Sequence, residues 1–336
     1  MPDTNPLSLT RQLTAARKVV ITTHANPDGD AMGSSLAMFH YLKKKGCVPA
    51  VIVPTSYPDF LAWLPGNEQV LVYQNGGGKA DQLIAEAEII VCLDFNALSR
   101  TGDMENALRS ASALKAVIDH HISPDTFPDF LISDVAKSST AEIVYDFITV
   151  CGDEGLIDKE IAECLFTGIL TDTGGFQFPT TTAAVHRKAA FLIECGADNH
   201  AIYERVFNTF SEMRLRLFGY CIERMKLFKD LKTALIVLSR NELQRFAVRQ
   251  GDTEGLVNFP MKMQEINLSV LIVDRTERIK LSFRSRGTFD VNQFAREHFN
   301  GGGHRNAAGG YSFESLEKVV QKFESILPQY REALQY

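Results

Sequence analysis

A chain of 336 residues, 45% of them hydrophobic, can bury a substantial core and is long enough that two domains are expected rather than one. Its formal net charge of -6 argues against a protein that tracks long nucleic acid by general attraction, while local basic patches can still serve short or small phosphorylated substrates. The longest apolar stretches, Glu88 to Phe95 and Leu268 to Val273, are far too short to span a bilayer, and six scattered cysteines with no C-x-x-C pair suggest neither a zinc ribbon nor a disulfide framework.

At the start, Met1 to Arg17 lacks the basic segment and apolar run of an export signal, so a cytoplasmic protein with reduced thiols and no membrane contact is expected. Val19 to Thr23 then reads as a strand and Ala31 to Lys45 as a helix. Val48 to Val53, Ile89 to Asp94 and Leu114 to Asp119 read as further strands. Short apolar β-rich runs separated by helical segments predict βαβ units and a buried parallel sheet with helices on both faces. Gly76-Gly77-Gly78, with only Lys79 as a basic neighbour, reads as a turn. Ser139-Thr-Ala-Glu142 has the spacing of a capping box, and Ile161 to Leu170 keeps helical spacing until the glycines at 174 and 175.

From Ala201 to Phe228 the pattern is long and amphipathic, with Leu215, Phe218, Ile222 and Met225 on one stripe, and reads as a helical connection. Strands resume at Ala234 to Leu238, Leu268 to Val273 and Ile279 to Phe283, followed by a Gly-rich loop and a final helix from Ser315 to Leu327. The expected α/β architecture is therefore an N-terminal parallel-sheet domain over 1–195, a helical linker over 196–229 and a smaller α/β domain over 230–336.

Chemistry concentrates where the predicted strands end. In a parallel sheet, ligands bind beyond the carboxyl ends of the strands. His24-Ala-Asn-Pro-Asp28-Gly-Asp30, Asp94 and Asp119-His120-His121 each follow a strand's last apolar residue, and Asp172 follows a helix. Pro27 and Gly29 predict a tight turn on which His24, Asp28 and Asp30 converge; alone, that segment would be read as an Asx-turn with Asp30 capping the next helix. Asp94 alone is equally a cap or a ligand. Two consecutive histidines after a strand are expected on opposite sides of the chain, with Asp119 available to orient an imidazole. Asp and His are rarely buried without a partner, so the four segments together point to one shared pocket. His24, Asp28, Asp30, Asp94, His120 and Asp172 form an oxygen-rich set that suits two Mn²⁺ ions best, with Mg²⁺ or Co²⁺ as substitutes.

The C-terminal part carries a different signal. Alternation along Arg278 to Arg284 puts Ile279, Leu281 and Phe283 on one face and Lys280, Ser282 and Arg284 on the other, a candidate anion-binding surface. Asn300-Gly301-Gly302-Gly303-His304-Arg305 follows, and its glycines can turn successive N–H groups into an anion nest. Residues 275–305 hold seven Lys/Arg against three Asp/Glu, a local reversal of charge that favours phosphate.

In this combination and order, the motifs resemble those of the DHH/DHHA1 phosphoesterase family over nearly the whole chain. The resemblance implies one manganese held by His24, Asp28 and Asp94 and another by Asp30, Asp94, His120 and Asp172, with Asp94 bridging. It implies catalytic roles for Asp94, Asp119, His120 and His121, with His121 on the scissile phosphate. Substrate binding in a cleft between domains would fall to Ser282, Arg284, Ser285, Gly301, Gly302, Gly303 and His304. Within the family the chain is similar to the compact group that acts on short oligoribonucleotides and on 3′-phosphoadenosine 5′-phosphate. The expected partners are short RNA and small phosphorylated nucleotides, not long duplexes, and a symmetric homodimer is the base-rate expectation. Competing readings are a phosphodiesterase for linear or cyclic dinucleotides, an exopolyphosphatase or pyrophosphatase, and a nucleotide-binding module without catalysis.

Overall fold

In a computed structural model that describes residues 1–73, 78–249 and 251–335, the chain divides into two units, Met1–Thr209 and Phe210–Tyr336. Gly76 and Gly77 of the predicted glycine turn lie outside the described residues.

The first unit is built on β1 (Lys18–Thr22), β2 (Val48–Val53), β3 (Leu71–Val72), β4 (Ile89–Leu93), β5 (Leu114–Asp119) and β6 (Phe130–Ser133). All neighbours pair parallel, in the order β3-β2-β1-β4-β5-β6. Its helices are α1 (Pro6–Gln12), α2 (Gly29–Lys44), α3 (Gly78–Glu86), α4 (Glu105–Ser110), α5 (Thr140–Val150), α6 (Lys159–Asp172), α7 (Ala183–Glu194) and α8 (Asn199–Phe207). Strand alternation sorts the core. Val19, Ile21, Ile89, Val91 and Ile118 pack with α2, α5 and α6, while Val20, Ile90, Cys92 and Val117 pack with α3 and α4 on the other face. Chain order reverses between β1 and β4, so the connections leaving these strands diverge and open a crevice at the sheet's carboxyl edge.

Helix α2 is buried from Gly29 to Leu42, without the polar face of a surface helix. Met32 and Leu36 are fully buried, each contributing about 1.5–3 kcal/mol. It lies backbone to backbone against α6: a Cβ at Gly33 would meet the Cys164 carbonyl oxygen at 2.5 Å. The helix also starts two residues earlier than the sequence reading. Asp28, not Asp30, is the N-cap, its Oδ1 accepting the N–H groups of Asp30 (3.1 Å) and Ala31 (3.0 Å).

The second unit contains β7 (Lys226–Phe228), β8 (Thr233–Leu238), β9 (Leu268–Asp274), β10 (Ile279–Ser285), β11 (Gly302–His304) and β12 (Ala307–Ser312) in a mixed sheet, ordered β11-β12-β10-β9-β8-β7. Its helices are α9 (Glu212–Arg224), α10 (Arg240–Arg245), α11 (Val291–His298) and α12 (Leu316–Ile326). Ile279, Leu281 and Phe283 face α11 and α12, as alternation requires, whereas Leu271 and Val273 face α9.

Two expectations change. The segment read as one helical connection is α8 in the first unit and α9 in the second, because Ser211 caps a new helix at the Arg214 N–H. The predicted Gly-rich loop is strand: β11 pairs antiparallel with β12, where small side chains permit close approach, and a Cβ at Gly301 would sit 2.0 Å from the Gly309 oxygen.

Candidate metal centre

His24 follows β1, and its Nδ1 lies 2.9 Å from the Ala25 carbonyl oxygen. A proton on Nδ1 then leaves the Nε2 lone pair facing Asp94 Oδ2 at 3.4 Å and Asp28 Oδ2 at 4.0 Å. Because Asp28 caps α2 with Oδ1, its other oxygen serves this group. Asp94 follows β4 with a φ of 66°, a left-handed conformation uncommon outside Gly, Asn and Asp. Its carboxylate is thereby shared. Oδ2 faces His24, and Oδ1 lies 3.5 Å from His120 Nε2.

His120 in turn lies 3.4 Å from Asp172 Oδ2, at the end of α6, and 3.9 Å from Asp30 Oδ2. The structure therefore brings together His24, Asp28 and Asp94 in one group and Asp30, His120 and Asp172 in a second. Ligands sharing one ion at about 2.0–2.2 Å stand roughly 3–4 Å apart, which these separations match.

The two histidines do not diverge as strand geometry predicts. Their ring centroids are 4.7 Å apart, and His121 Nδ1 is 3.7 Å from Asp94 Oδ1. The pleat ends with Asp119, so both rings turn to the same centre. Asp119 Oδ1 lies 2.7 Å from His121 Nδ1, which makes it a positioning partner of His121 rather than of His120.

Charge inside the cluster is unbalanced without a cation. Burial and the charges of Asp94 and Asp172 push the Asp30 carboxyl well above the usual range. Despite burial, hydrogen bonds with His120 and His24 hold Asp94 well below it. Despite its own burial, His120 is raised to about 11 by Asp94 and Asp172. Burial opposes the charge on His24 also, yet Asp94 and Asp28 raise its pKa. Four carboxylates and two imidazoles gathered in this way form a donor set that fits a divalent cation.

By its spacing alone, Ser139 to Glu142 is a helix start and nothing more. Ser139 does cap α5, yet the Glu142 side chain accepts from Ser138, not Ser139, so the capping box is incomplete. The residue between them reaches the centre. Thr140 donates its N–H to Asp30 Oδ2 at 2.6 Å and its hydroxyl to Asp94 Oδ1 at 3.0 Å, and the Ala141 N–H donates to Asp30 Oδ1 at 2.8 Å. Thr140→Val removes only the hydroxyl, and outer partners of metal ligands are typically worth about 10–100-fold in affinity. Calorimetric Mn²⁺ titration should show a loss of that order for Thr140→Val and recovery in Thr140→Ser; equal affinity in all three proteins would refute this role.

The remaining predicted residues lie in the second unit. Ser282 and Arg284 are on the polar side of β10, with Arg284 Nη1 donating to the Phe283 carbonyl at 2.9 Å. The Ser285 hydroxyl donates to the Phe289 carbonyl at 2.7 Å. Gly302, Gly303 and His304 form β11, and the N–H groups of Gly301 and Gly303 already donate to the Ala295 carbonyl and Asn292 Oδ1. Those two N–H groups therefore do not form the predicted nest.

The DHH family N-terminal domain matches residues 18–169, and the DHHA1 domain matches residues 233–329. A bifunctional oligoribonuclease and PAP phosphatase NrnA from Thermus thermophilus is 32% identical over 317 residues, covering 94% of this chain and 90% of its own. Its namesake from Bacillus subtilis is 25% identical over 327 residues, covering 96% of this chain and 98% of its own. The crystal structure of an exopolyphosphatase-related protein from Bacteroides fragilis is 42% identical, with a TM-score of 0.93 over 98% of this chain and 97% of that one.

Proposed function

The chain belongs to the DHH phosphoesterase family, hydrolases of phosphoester bonds, and from that premise we propose a manganese-dependent enzyme that removes nucleotides from very short RNA and a phosphate from 3′-phosphoadenosine 5′-phosphate. The observation that carries the metal reading is Asp94, whose two carboxylate oxygens face two separate donor groups. The names of the two NrnA relatives support the substrate class.

Two divalent ions, when bound, would lower the pKa of a water and offset the charge that grows on the phosphoryl group. His24, Asp28 and Asp94 would hold one, and Asp30, Asp94, His120 and Asp172 the other. Asp119, buried and 2.7 Å from His121 Nδ1, orients that ring, and an imidazolium held against this carboxylate would offer its Nε2–H to a phosphoryl oxygen. Thr140 holds the carboxylates of Asp30 and Asp94 in register with each other.

In the second unit, Arg284 would hold the substrate's phosphate, supported by Ser282, Ser285, His304 and the β11 glycines. A charge-assisted hydrogen bond contributes about 1.5–3 kcal/mol, so Arg284→Ala should raise KM by about 10–100-fold. Metal content should stay unchanged in elemental analysis. A variant that lost its manganese would contradict this division of labour.

The test of the whole reading is a Mn²⁺-supplemented hydrolysis panel of 3′-phosphoadenosine 5′-phosphate, pApA, RNA of graded length, pyrophosphate and polyphosphate. Fast turnover of the bisphosphate nucleotide, and rates that fall as RNA grows beyond a few nucleotides, are expected. The name of the 42% identical Bacteroides fragilis protein supports polyphosphate as the second reading, and preferential cleavage of that polymer would replace the first.

A further inference from the structure

The proposed centre carries a charge deficit toward its substrate. Asp28, Asp30, Asp94 and Asp172 bring four negative charges, which two divalent ions only cancel. A phosphoester then arrives with its own negative charge, and more develops on its oxygens during attack, so beyond Arg284 of the second unit a cation of the first unit beside the ions would stabilise it.

Arg100 lies in the 3-10 turn Leu98–Met104 that follows β4. Two contacts fix it at the edge of the first donor group. Its carbonyl oxygen accepts the Ala25 N–H at 2.7 Å, tying the turn to the residue after His24. Its guanidinium Nη1 reaches the Asp94 carbonyl oxygen at 3.5 Å, a long bond and the one side-chain hydrogen bond of Arg100 among the described residues. An arginine whose guanidinium reaches the backbone of Asp94 would ordinarily neutralise a carboxylate of the donor group beside it. Here the carboxylates meet imidazoles instead, and among the described residues Arg100 forms no ion pair. It is also only partly buried, so an anion can approach it.

The geometry points to Arg100 as a phosphate contact of the first unit, one that holds a substrate phosphoryl oxygen next to the ion on His24, Asp28 and Asp94. This inference rests on the two-metal reading above. A guanidinium suits the task because its planar fork can grip two phosphate oxygens while staying charged at any working pH.

The alternative is that Arg100 only buttresses the left-handed backbone of Asp94. Inorganic phosphate separates the two without turnover. Arg100→Gln and Arg100→Lys, loaded with Mn²⁺, should bind two ions with wild-type affinity by calorimetry. Phosphate affinity of the loaded protein should fall at least tenfold in Arg100→Gln and less in Arg100→Lys, with the KM of hydrolysed substrates rising in parallel. Unchanged phosphate affinity at full metal content would overturn the inference. So would lost manganese in Arg100→Gln that Arg100→Lys does not restore, since that is the signature of a backbone support. If the wild type binds Mn²⁺ and phosphate yet hydrolyses nothing in the panel, the functional proposal fails while the role of Arg100 is still decided.

Discussion

Asp94→Asn should fold and lose turnover by at least about 10³-fold, with metal stoichiometry falling below two. Asparagine tolerates the φ of 66° at this position nearly as well as aspartate, so the backbone that aims the side chain survives. The Thr140 hydroxyl can still donate to the amide oxygen that replaces Oδ1. What disappears is the negative charge shared by the two donor groups. An amide offers one weakly basic oxygen and one nitrogen that cannot ligate, so one of the two groups loses its common partner. Metal activation of water and charge compensation are worth several kcal/mol, and each 1.36 kcal/mol is tenfold in rate. Near-normal kcat in excess Mn²⁺, from a protein with wild-type circular dichroism, would remove the two-metal assignment. Asp94→Ala should be as inactive but less stable, because alanine meets the left-handed conformation with a steric cost and no local hydrogen bond.

Much of this centre is legible in the amino-acid sequence alone, because its residues violate local rules. A His or Asp directly after a β-rich apolar run gains nothing for folding, so His24, Asp94 and Asp119 to His121 stand out individually and then collectively. Central strands β1, β2, β4 and β5 are equally legible, being continuous apolar runs buried on both faces at their cores. Edge strands are not. Leu71–Val72 is two residues long, and β11 is Gly-Gly-His, whose strand character comes entirely from pairing with β12. Thr140 is hidden for another reason. Its neighbours spell a helix cap, and only the tertiary approach of α5 to α2 turns its hydroxyl and N–H onto Asp30 and Asp94. Arg100 carries no local signal either, since an arginine in a short turn is ordinary until the fold places it beside Asp94.

That tertiary approach has its own test, in a glycine one helical turn before Asp172. Gly168 lies in α6, where helix propensity favours alanine by about 1 kcal/mol. Packing reverses the sign. A Cβ there would sit 2.5 Å from the Ala141 Cβ, 2.9 Å from Asp30 Oδ1 and 3.4 Å from the Asp30 Cα, so neither neighbour can yield by a simple side-chain rotation. Overpacking a dense core costs about 1–3 kcal/mol, and here the displaced atoms include a proposed ligand. Gly168→Ala should therefore lower Tm by several degrees, at about 2–4 °C per kcal/mol for a unit of this size, and weaken binding at the Asp30, His120 and Asp172 group more than at its neighbour. Gly219 supplies the control. It is exposed in α9 with nothing within 4 Å of its would-be Cβ, so Gly219→Ala should stabilise by about 0.5–1 kcal/mol and leave Mn²⁺ binding untouched. Matching Tm shifts and matching Mn²⁺ isotherms for the two variants would mean that α6 can slide past α2 and α5 without moving Asp30, and the close helix contact would not be what sets the geometry of the centre.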